Sequence, residues 1–395
     1  MTGLLAAGCL TAAQPAAAAN AGCGTTYGFA SDETFFTGAN LGATSAPGEL
    51  AACRKVQIFD DRVPTGTRVY QVIYRSENEA GTAIPVSGTV LVPPTGGTGI
   101  ISLASGTIGL ADKIGNTKSC APSVGLPDGG AFVSGTAARY LTAGYAVAVT
   151  DYEGLRTPGA HPYLNGWSAG KSMIDVARAA RNLPYESLGG DTKTLFTGYS
   201  QGGHATLWAA QLAPYYAPTL PVAGAVAGAS PVNLEAVRQN LNGALASGLY
   251  SYMITSLNGQ FPELNLLSKL SSSGQSFMNA LATKCSPIMA SNITGWFRTW
   301  SSLWKTGQDP INDPAFVARA SQSNVPGWGP QVPVFMFHGD NDGIIPIGPH
   351  KALADAWIAA DLPVEWRTVP GSHLWDTNAN GQDASDTWIA DRFSE

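Results

Sequence analysis

Gly198-Tyr199-Ser200-Gln201-Gly202 sets a serine between two glycines, each two residues away. Alone, the G-x-S-x-G pattern fits many structural turns. Its flanks sharpen it: "TKTLFT" before it is strand-like and "GHATLWAAQL" after it is helical. A serine projected from so tight a strand-to-helix bend sits at strained backbone angles, and side chains at Gly198 or Gly202 would collide with neighbouring elements. The same bend leaves the Gln201 amide at a helix N-terminus, where it faces negative charge developing on an acyl carbonyl. The chemistry indicated is nucleophilic acyl transfer through Ser200.

A serine hydroxyl needs a base, and the base needs an acid to orient it. Five histidines are available. His161 precedes the serine in a Gly/Pro-rich loop, and His204 lies one helical turn beyond it, where local packing is its expected use. His338 closes the strand-like "VPVFMFH", and His350 opens a helix eight residues after the expected acid. His373, in "VPGSHLW" after the last strand, is where a base arriving after serine and acid belongs. The acid is expected in "FHGDNDGIIP", with Asp342 favoured over Asp340, a turn residue serving loop amides.

The second oxyanion donor is expected in "SGTIGLAD" after the strand "GIISLA", from the Gly106 or Thr107 amide acting with that of Gln201. Asp112 in that loop is read as structural. Asp151 and Glu153 end the strand "YAVAVT" on the same edge of the sheet and are assigned structural hydrogen bonding.

These residues need a scaffold that brings several strand ends together. Short apolar runs with their turn residues at 99–104, 145–154, 192–198 and 332–339 alternate with helical spacing at 168–184, 202–216 and 349–362. That alternation predicts an α/β fold with a mostly parallel central sheet. "RVYQVIYRSENEAGTAIPVSGTVLVPP" reads as a hairpin before it. Residues 20–65 read as an irregular arm, 66–232 as the first part of the core and 331–395 as its second part. The interval 233–330 breaks the rhythm with helical spacing and no convincing strand. There "GWFRTWSSLWKTG" puts Trp296, Trp300, Leu303 and Trp304 on one helical face, either simply a core side or the apolar roof of a substrate tunnel.

Charged residues make up 13% of the 395 and the net charge is −6, which disfavours nucleic acid or anionic membrane as a partner. Residues 1–19 are small, apolar and uncharged, as a cleaved secretory leader is, and predict a secreted protein. "AAGC" at Cys9 distantly resembles a lipid-attachment box, but the apolar stretch before it is short. No later run reaches the ~18 apolar residues of a spanning helix. Cys23, Cys53, Cys120 and Cys285 read as two disulfides with three possible pairings. No CxxC pair or nearby histidine suggests a metal site.

"YRSENEAGTAIPVSGTVLVP", "ASGTIGLAD" with "CAPS" at 120–123, "TDYEGL", "GYSQGGHAT", "HGDNDGIIP" and "GSHLW" fall in the order found in the secretory lipases, which this chain resembles over most of its length. Ser105-Gly106 stands where that family has His-Gly, and "KIGNTK" lengthens the loop before Cys120. The resemblance implies an α/β-hydrolase fold with a helical cap or lid at 233–330 enclosing an acyl tunnel. It implies a Cys120–Cys285 bridge, leaving Cys23–Cys53. It also implies hydrolysis of acylglycerols and related esters without metal or cofactor. An acyltransferase or short-chain carboxylesterase would share the same three residues, and a catalytically dead lipid-binding protein is a more distant alternative.

Overall fold

The computed structural model describes residues 23–29, 35–36, 39–58, 60–110, 120–122, 130–184, 186–281, 285, 297–374 and 376–395. The leader expected at 1–19, Asp112, the inserted 113–118, Ser123 and Trp296 lie outside the described residues.

Ten strands form one sheet in the order β1-β2-β3-β4-β6-β5-β7-β8-β9-β10. They are β1 (Gly24–Phe29), β2 (Leu50–Gln57), β3 (Arg68–Glu77), β4 (Ala83–Val92), β5 (Ile100–Ala104), β6 (Ala146–Thr150), β7 (Thr194–Tyr199), β8 (Val222–Gly228), β9 (Val334–Gly339) and β10 (Val364–Val369). The run β6-β5-β7-β8-β9-β10 is parallel throughout, and antiparallel pairing is confined to the β2–β3, β3–β4 and β4–β6 junctions. Every residue of β5, β6, β7 and β9 is buried. Helices cover both faces of those strands, so they must be apolar on both sides and read as continuous apolar runs.

One face carries α2 (Gly166–Arg181), α3 (Gln201–Tyr216) and α9 (Ile347–Ala359), whose Met173, Ile174, Leu207, Trp208 and Trp357 share a core with Phe196 and Met336. The other carries α1 (Gly130–Thr142) and α10 (Thr377–Ser394), with Val133, Tyr140 and Ile389 packed on Val147, Leu195 and Phe335. Between β8 and β9 come α4 (Leu234–Asn240), α5 (Leu249–Gln260), α6 (Leu266–Lys269), α7 (Ser272–Leu281) and α8 (Pro314–Ser321). Their apolar sides form a separate cluster that also takes in Tyr163 and Leu164 from the loop after β6 and Ile344 and Ile345 from the loop after β9. This cluster therefore sits over the carboxyl ends of the strands. There, in open α/β sheets, ligands bind.

Three departures from the sequence reading stand out. Residues 20–65 are not wholly irregular, since β2 pairs antiparallel with β3. Only Cys53 and Val56 of β2 are buried, three residues apart, so no two-residue alternation marked the strand. The tryptophan-rich stretch is no long helix. Of it, Trp300–Leu303 forms a single 3-10 turn, because the Asn242 side-chain Oδ1 captures the Trp300 amide (2.8 Å) and Trp304 bridges to Leu270. Trp300, Leu303 and Trp304 are still buried together. Finally, α10 had no apolar stripe to announce it. Its buried positions are Thr377, Gly381, Ser385 and Ile389, and Gly381 has no room for a side chain because a Cβ there would lie 2.0 Å from the Phe337 ring.

Disulfides join Cys23 to Cys53 and Cys120 to Cys285, with Cα separations of 4.7 and 5.2 Å. The second closes 165 residues and links the chain beyond β5 to the helical segment. A closure of that length removes on the order of 5 kcal/mol of unfolded-chain entropy in the loop model.

Candidate active site

Ser200 stands between β7 and α3 with φ 60° and ψ −118°, a conformation that L-residues avoid. The surroundings enforce it. A Cβ at Gly198 would lie 2.4 Å from the Gly202 carbonyl, one at Gly202 would lie 2.0 Å from the Ala104 oxygen, and one at Gly203 would lie 2.3 Å from the Gly228 oxygen. The Ser200 amide donates to the Gly228 carbonyl at 2.9 Å, and its own carbonyl accepts from the His204 amide at 3.0 Å. Backbone thus meets backbone on both sides of the bend, and the side chain can only point outward.

His373 follows β10 and Asp342 follows β9. The Ser200 hydroxyl donates to His373 Nε2 at 2.9 Å, and His373 Nδ1 donates to Asp342 Oδ2 at 2.6 Å. The carboxylate fixes the tautomer: with the proton on Nδ1, the Nε2 lone pair faces the serine. The Tyr199 hydroxyl donates to the His373 carbonyl at 2.9 Å, and Asp340 accepts from the Gly371 amide at 3.1 Å, tying base and acid loops together. Ser200, Asp342 and His373, drawn from three loops, meet at hydrogen-bond distance.

Asp342 is a fully buried carboxylate with four donors. Oδ1 accepts from the Ile344 and Ile345 amides, both at 2.9 Å, while Oδ2 accepts from His373 and, at 3.1 Å, from His338 Nε2. Burial by itself would raise its pKa. The hydrogen bonds from His338 and His373 outweigh that and hold the group well below the usual carboxylate range. His338 Nδ1 in turn accepts from His350 Nδ1 at 2.8 Å. His350 is buried with its Nε2 unpaired, and desolvation keeps its pKa far down. This imidazole pair behind the acid was not foreseen. Its one sequence signal was the spacing of four between His338 and Asp342.

The loop after β5 passes the nucleophile: a Cβ on Gly106 would lie 3.8 Å from the Ser200 Cβ and 3.4 Å from the Tyr199 oxygen. Thr107 is held by a 2.8 Å hydrogen bond between its hydroxyl and that of Tyr163. Gln201 occupies the first position of α3, where backbone N–H groups have no intrahelical acceptor. Its buried side chain donates through Nε2 to His161 Nε2 at 3.0 Å. His161 Nδ1 donates to the Glu153 carbonyl at 2.8 Å, and burial pushes the imidazole down to about 4, so it is neutral at pH 7. The sequence reading gave His161 no role. Two residues expected to be structural are so placed: Asp151 accepts from Ser87 Oγ at 2.7 Å, and the Glu153 carboxylate accepts from Ser168 Oγ. His204 is buried and donates through Nε2 to the Ser323 carbonyl at 2.7 Å.

A cavity of about 290 Å³ lies among the helices between β8 and β9, lined by Tyr163, Leu234, Met253, Leu257, Trp300 and Phe316 among others. Tyr163 therefore touches both this cavity and the loop beside Ser200. Among the described residues no helix is long and apolar enough to cross a membrane.

Several known proteins are similar to this chain. A trichothecene C-3 esterase of Fusarium sporotrichioides is 31% identical over 265 residues, 64% of this chain and 58% of the relative. A secreted triacylglycerol lipase of Malassezia furfur is 25% identical over 374 residues, 88% of this chain and 75% of the relative. The chain thus spans well under two thirds of the Fusarium esterase. Candida antarctica lipase A in its closed state has the same α/β-hydrolase fold, with a TM-score of 0.73 and 24% identity, covering 88% of this chain and 83% of the other. The secretory lipase model matches residues 135–395, an interval that includes Ser200, Asp342 and His373. The chain belongs to the secretory lipase family.

Proposed function

We propose that this chain is a secreted serine esterase that cleaves carboxylic esters of lipids, acylglycerols among them, through an acyl-enzyme on Ser200. The observation that carries the reading is the continuous hydrogen-bonded line from Ser200 through His373 to Asp342. His373 Nε2 takes the hydroxyl proton as Oγ bonds to the ester carbon. The carbonyl oxygen becomes an oxyanion facing the Gln201 amide and the Gly106 or Thr107 amide. Asp342 stabilises the imidazolium, which gives its proton to the leaving alcohol. Water then repeats the sequence and releases the acid.

Relatives named as a triacylglycerol lipase and a trichothecene esterase support ester hydrolysis while leaving the alcohol open. The helices from 233 to 330 serve as the cap, and the largely apolar cavity of about 290 Å³ among them is a fitting receptacle for an acyl chain. Family membership and two disulfides support export, with residues 1–19 as its leader.

The test is hydrolysis of p-nitrophenyl esters of rising chain length by the wild type and Ser200→Ala. Turnover is expected to fall on the order of 10⁴-fold or more in the variant. The wild type should show burst release with an optimum at medium or long chains. An optimum at acetate would instead identify a short-chain carboxylesterase, and preferential transfer to an added alcohol an acyltransferase. Near-normal turnover by Ser200→Ala would refute the mechanism.

A further inference from the structure

Both sides of the proposed oxyanion site are held by one stretch of chain, Tyr152 to Tyr163, in the loop after β6. On one side the Tyr152 hydroxyl donates to the Ser105 carbonyl at 2.6 Å, and the Tyr163 hydroxyl meets Thr107 Oγ1 at 2.8 Å. On the other side His161 Nε2 accepts from the Gln201 side chain at 3.0 Å. Of the six residues that make these three bonds, Tyr152, Ser105, His161, Tyr163 and Gln201 are buried and Thr107 is half-buried.

The stretch is itself closed and anchored. Tyr152 and Arg156 have φ of 67° and 64°. At Gly154 (φ 73°) an added Cβ would lie 2.5 Å from the Ala160 carbonyl carbon and 2.6 Å from the His161 nitrogen, so the two arms of the loop touch there. His161 Nδ1 donates to the Glu153 carbonyl, the Glu153 carboxylate accepts from Ser168 on α2, and Ser256 on α5 donates to the Tyr163 carbonyl at 3.0 Å. Such a unit moves as one body or not at all.

We propose that Tyr152–Tyr163 is a brace fixing the spacing between the two oxyanion donors, with His161 acting through Gln201 and Tyr163 acting through Thr107 as positioning residues. This rests on the esterase reading above. The physical reason is that each donor amide belongs to a different element, one to the loop after β5 and one to the first turn of α3. Hydrogen bonds to an oxyanion contribute most when donors are already aimed before charge develops, and a misplacement of about 1 Å costs rate rather than substrate binding. The brace spans the two elements with side chains whose hydrogen bonds go to Ser105, Thr107, Gln201 and Glu153 and not to the serine or the base.

His161 makes two bonds that substitution can separate. Asparagine's amide reaches only as far as Nδ1, so His161→Asn keeps the donor to Glu153 and loses the acceptor for Gln201. Glutamine's amide reaches as far as Nε2, so His161→Gln does the reverse. With p-nitrophenyl butyrate, kcat of His161→Asn is expected to fall about tenfold with KM within about twofold, and His161→Gln to recover most of the loss. Gln201→Leu should match His161→Asn, and the double variant should be no slower than either single one. Tyr163→Phe, which removes one oxygen and should fold, is expected to lower kcat about threefold at unchanged KM.

Wild-type kcat in both His161→Asn and Tyr163→Phe would overturn the brace while leaving the esterase intact, provided Ser200→Ala is inactive. Multiplicative losses in the double variant would equally overturn the coupling of His161 to Gln201. Should His161→Asn melt below assay temperature, Tyr163→Phe decides alone. Activity surviving in Ser200→Ala would instead refute the underlying function.

Discussion

The bend carrying Ser200 and the helical segment above it are built on opposite terms. Around the bend, backbone touches backbone: Gly198, Gly202 and Gly203 each have a carbonyl within 2.4 Å of where a Cβ would stand. Between β8 and β9, side chains fill the space: Tyr250, Trp304 and Phe316 each make ring contact with Trp300, and Trp300 and Phe316 line a cavity of about 290 Å³. Gly274, where a Cβ would lie 2.1 Å from the Leu303 oxygen, is the tight exception there; a Cβ at Gly259 would have nothing within 4 Å. The contrast shows where tolerance resides. A side-chain-filled region can be resized by changing one residue, whereas a backbone-limited bend has no slack to give.

The comparison can be broken most sharply from the site side. Asp342→Asn keeps the shape but removes the charge that fixes the His373 tautomer, so kcat is expected to fall by about 10³ to 10⁴-fold with little change in melting temperature. A loss below tenfold would mean the carboxylate is not needed for catalysis. Gly202→Ala drives a methyl into the Ala104 carbonyl and should cost at least about 10²-fold in kcat/KM through displacement of the bend. Wild-type activity in that variant would deny the lack of slack.

On the other side, Trp300→Ala removes a buried indole that donates to Asp309 at 2.9 Å and lines the cavity. It should lower stability by about 3–5 kcal/mol in denaturant titration, with kcat changed less than tenfold and the chain-length optimum shifted upward. A loss of activity as large as that of Asp342→Asn would erase the distinction between the regions.

The smallest effect concerns pH. Burial holds both His161 and His204 down to about 4, against 6.5 unfolded. Between those values the unfolded chain binds more protons, so their contribution is present above pH 6.5 and lost as pH falls towards 4. Each amounts to on the order of 3 kcal/mol. Asp175 works the other way: burial raises it to about 6 despite Arg178, Ser76 and Tyr216, so it favours the folded state as pH falls from about 6 towards 4. His350, which burial also holds down, acts in the same direction, so three histidines against one carboxylate leave a net loss, and melting temperature should be at least roughly 5 °C lower at pH 4.5 than at pH 7. A flat profile would contradict the buried neutral imidazoles.

Much of the site was legible because its signals are local. The glycines around Ser200 announce a bend, and the order serine, aspartate, histidine narrowed five histidines to His373. The central strands were legible because burial on both faces forces unbroken apolar runs. What escaped had no local period. α10 has Thr377, Gly381 and Ser385 among its buried positions, and β8, in "PVAGAVAG", carries only alanine, glycine and two valines. The histidines at 161, 338 and 350 take their meaning from partners on other elements.

By itself, then, the sequence determined which groups can do the chemistry and what kind of sheet must carry them, because bend sterics and two-sided burial act within a few residues. Tertiary structure alone decided that His338 and His350 back Asp342, that His161 grips Gln201, and that Trp300 closes a short turn instead of a helix. The last two outcomes depend on partners 40 and 58 residues apart in the chain, and the first on how β9 and α9 pack around the acid, which only the assembled tertiary structure fixes.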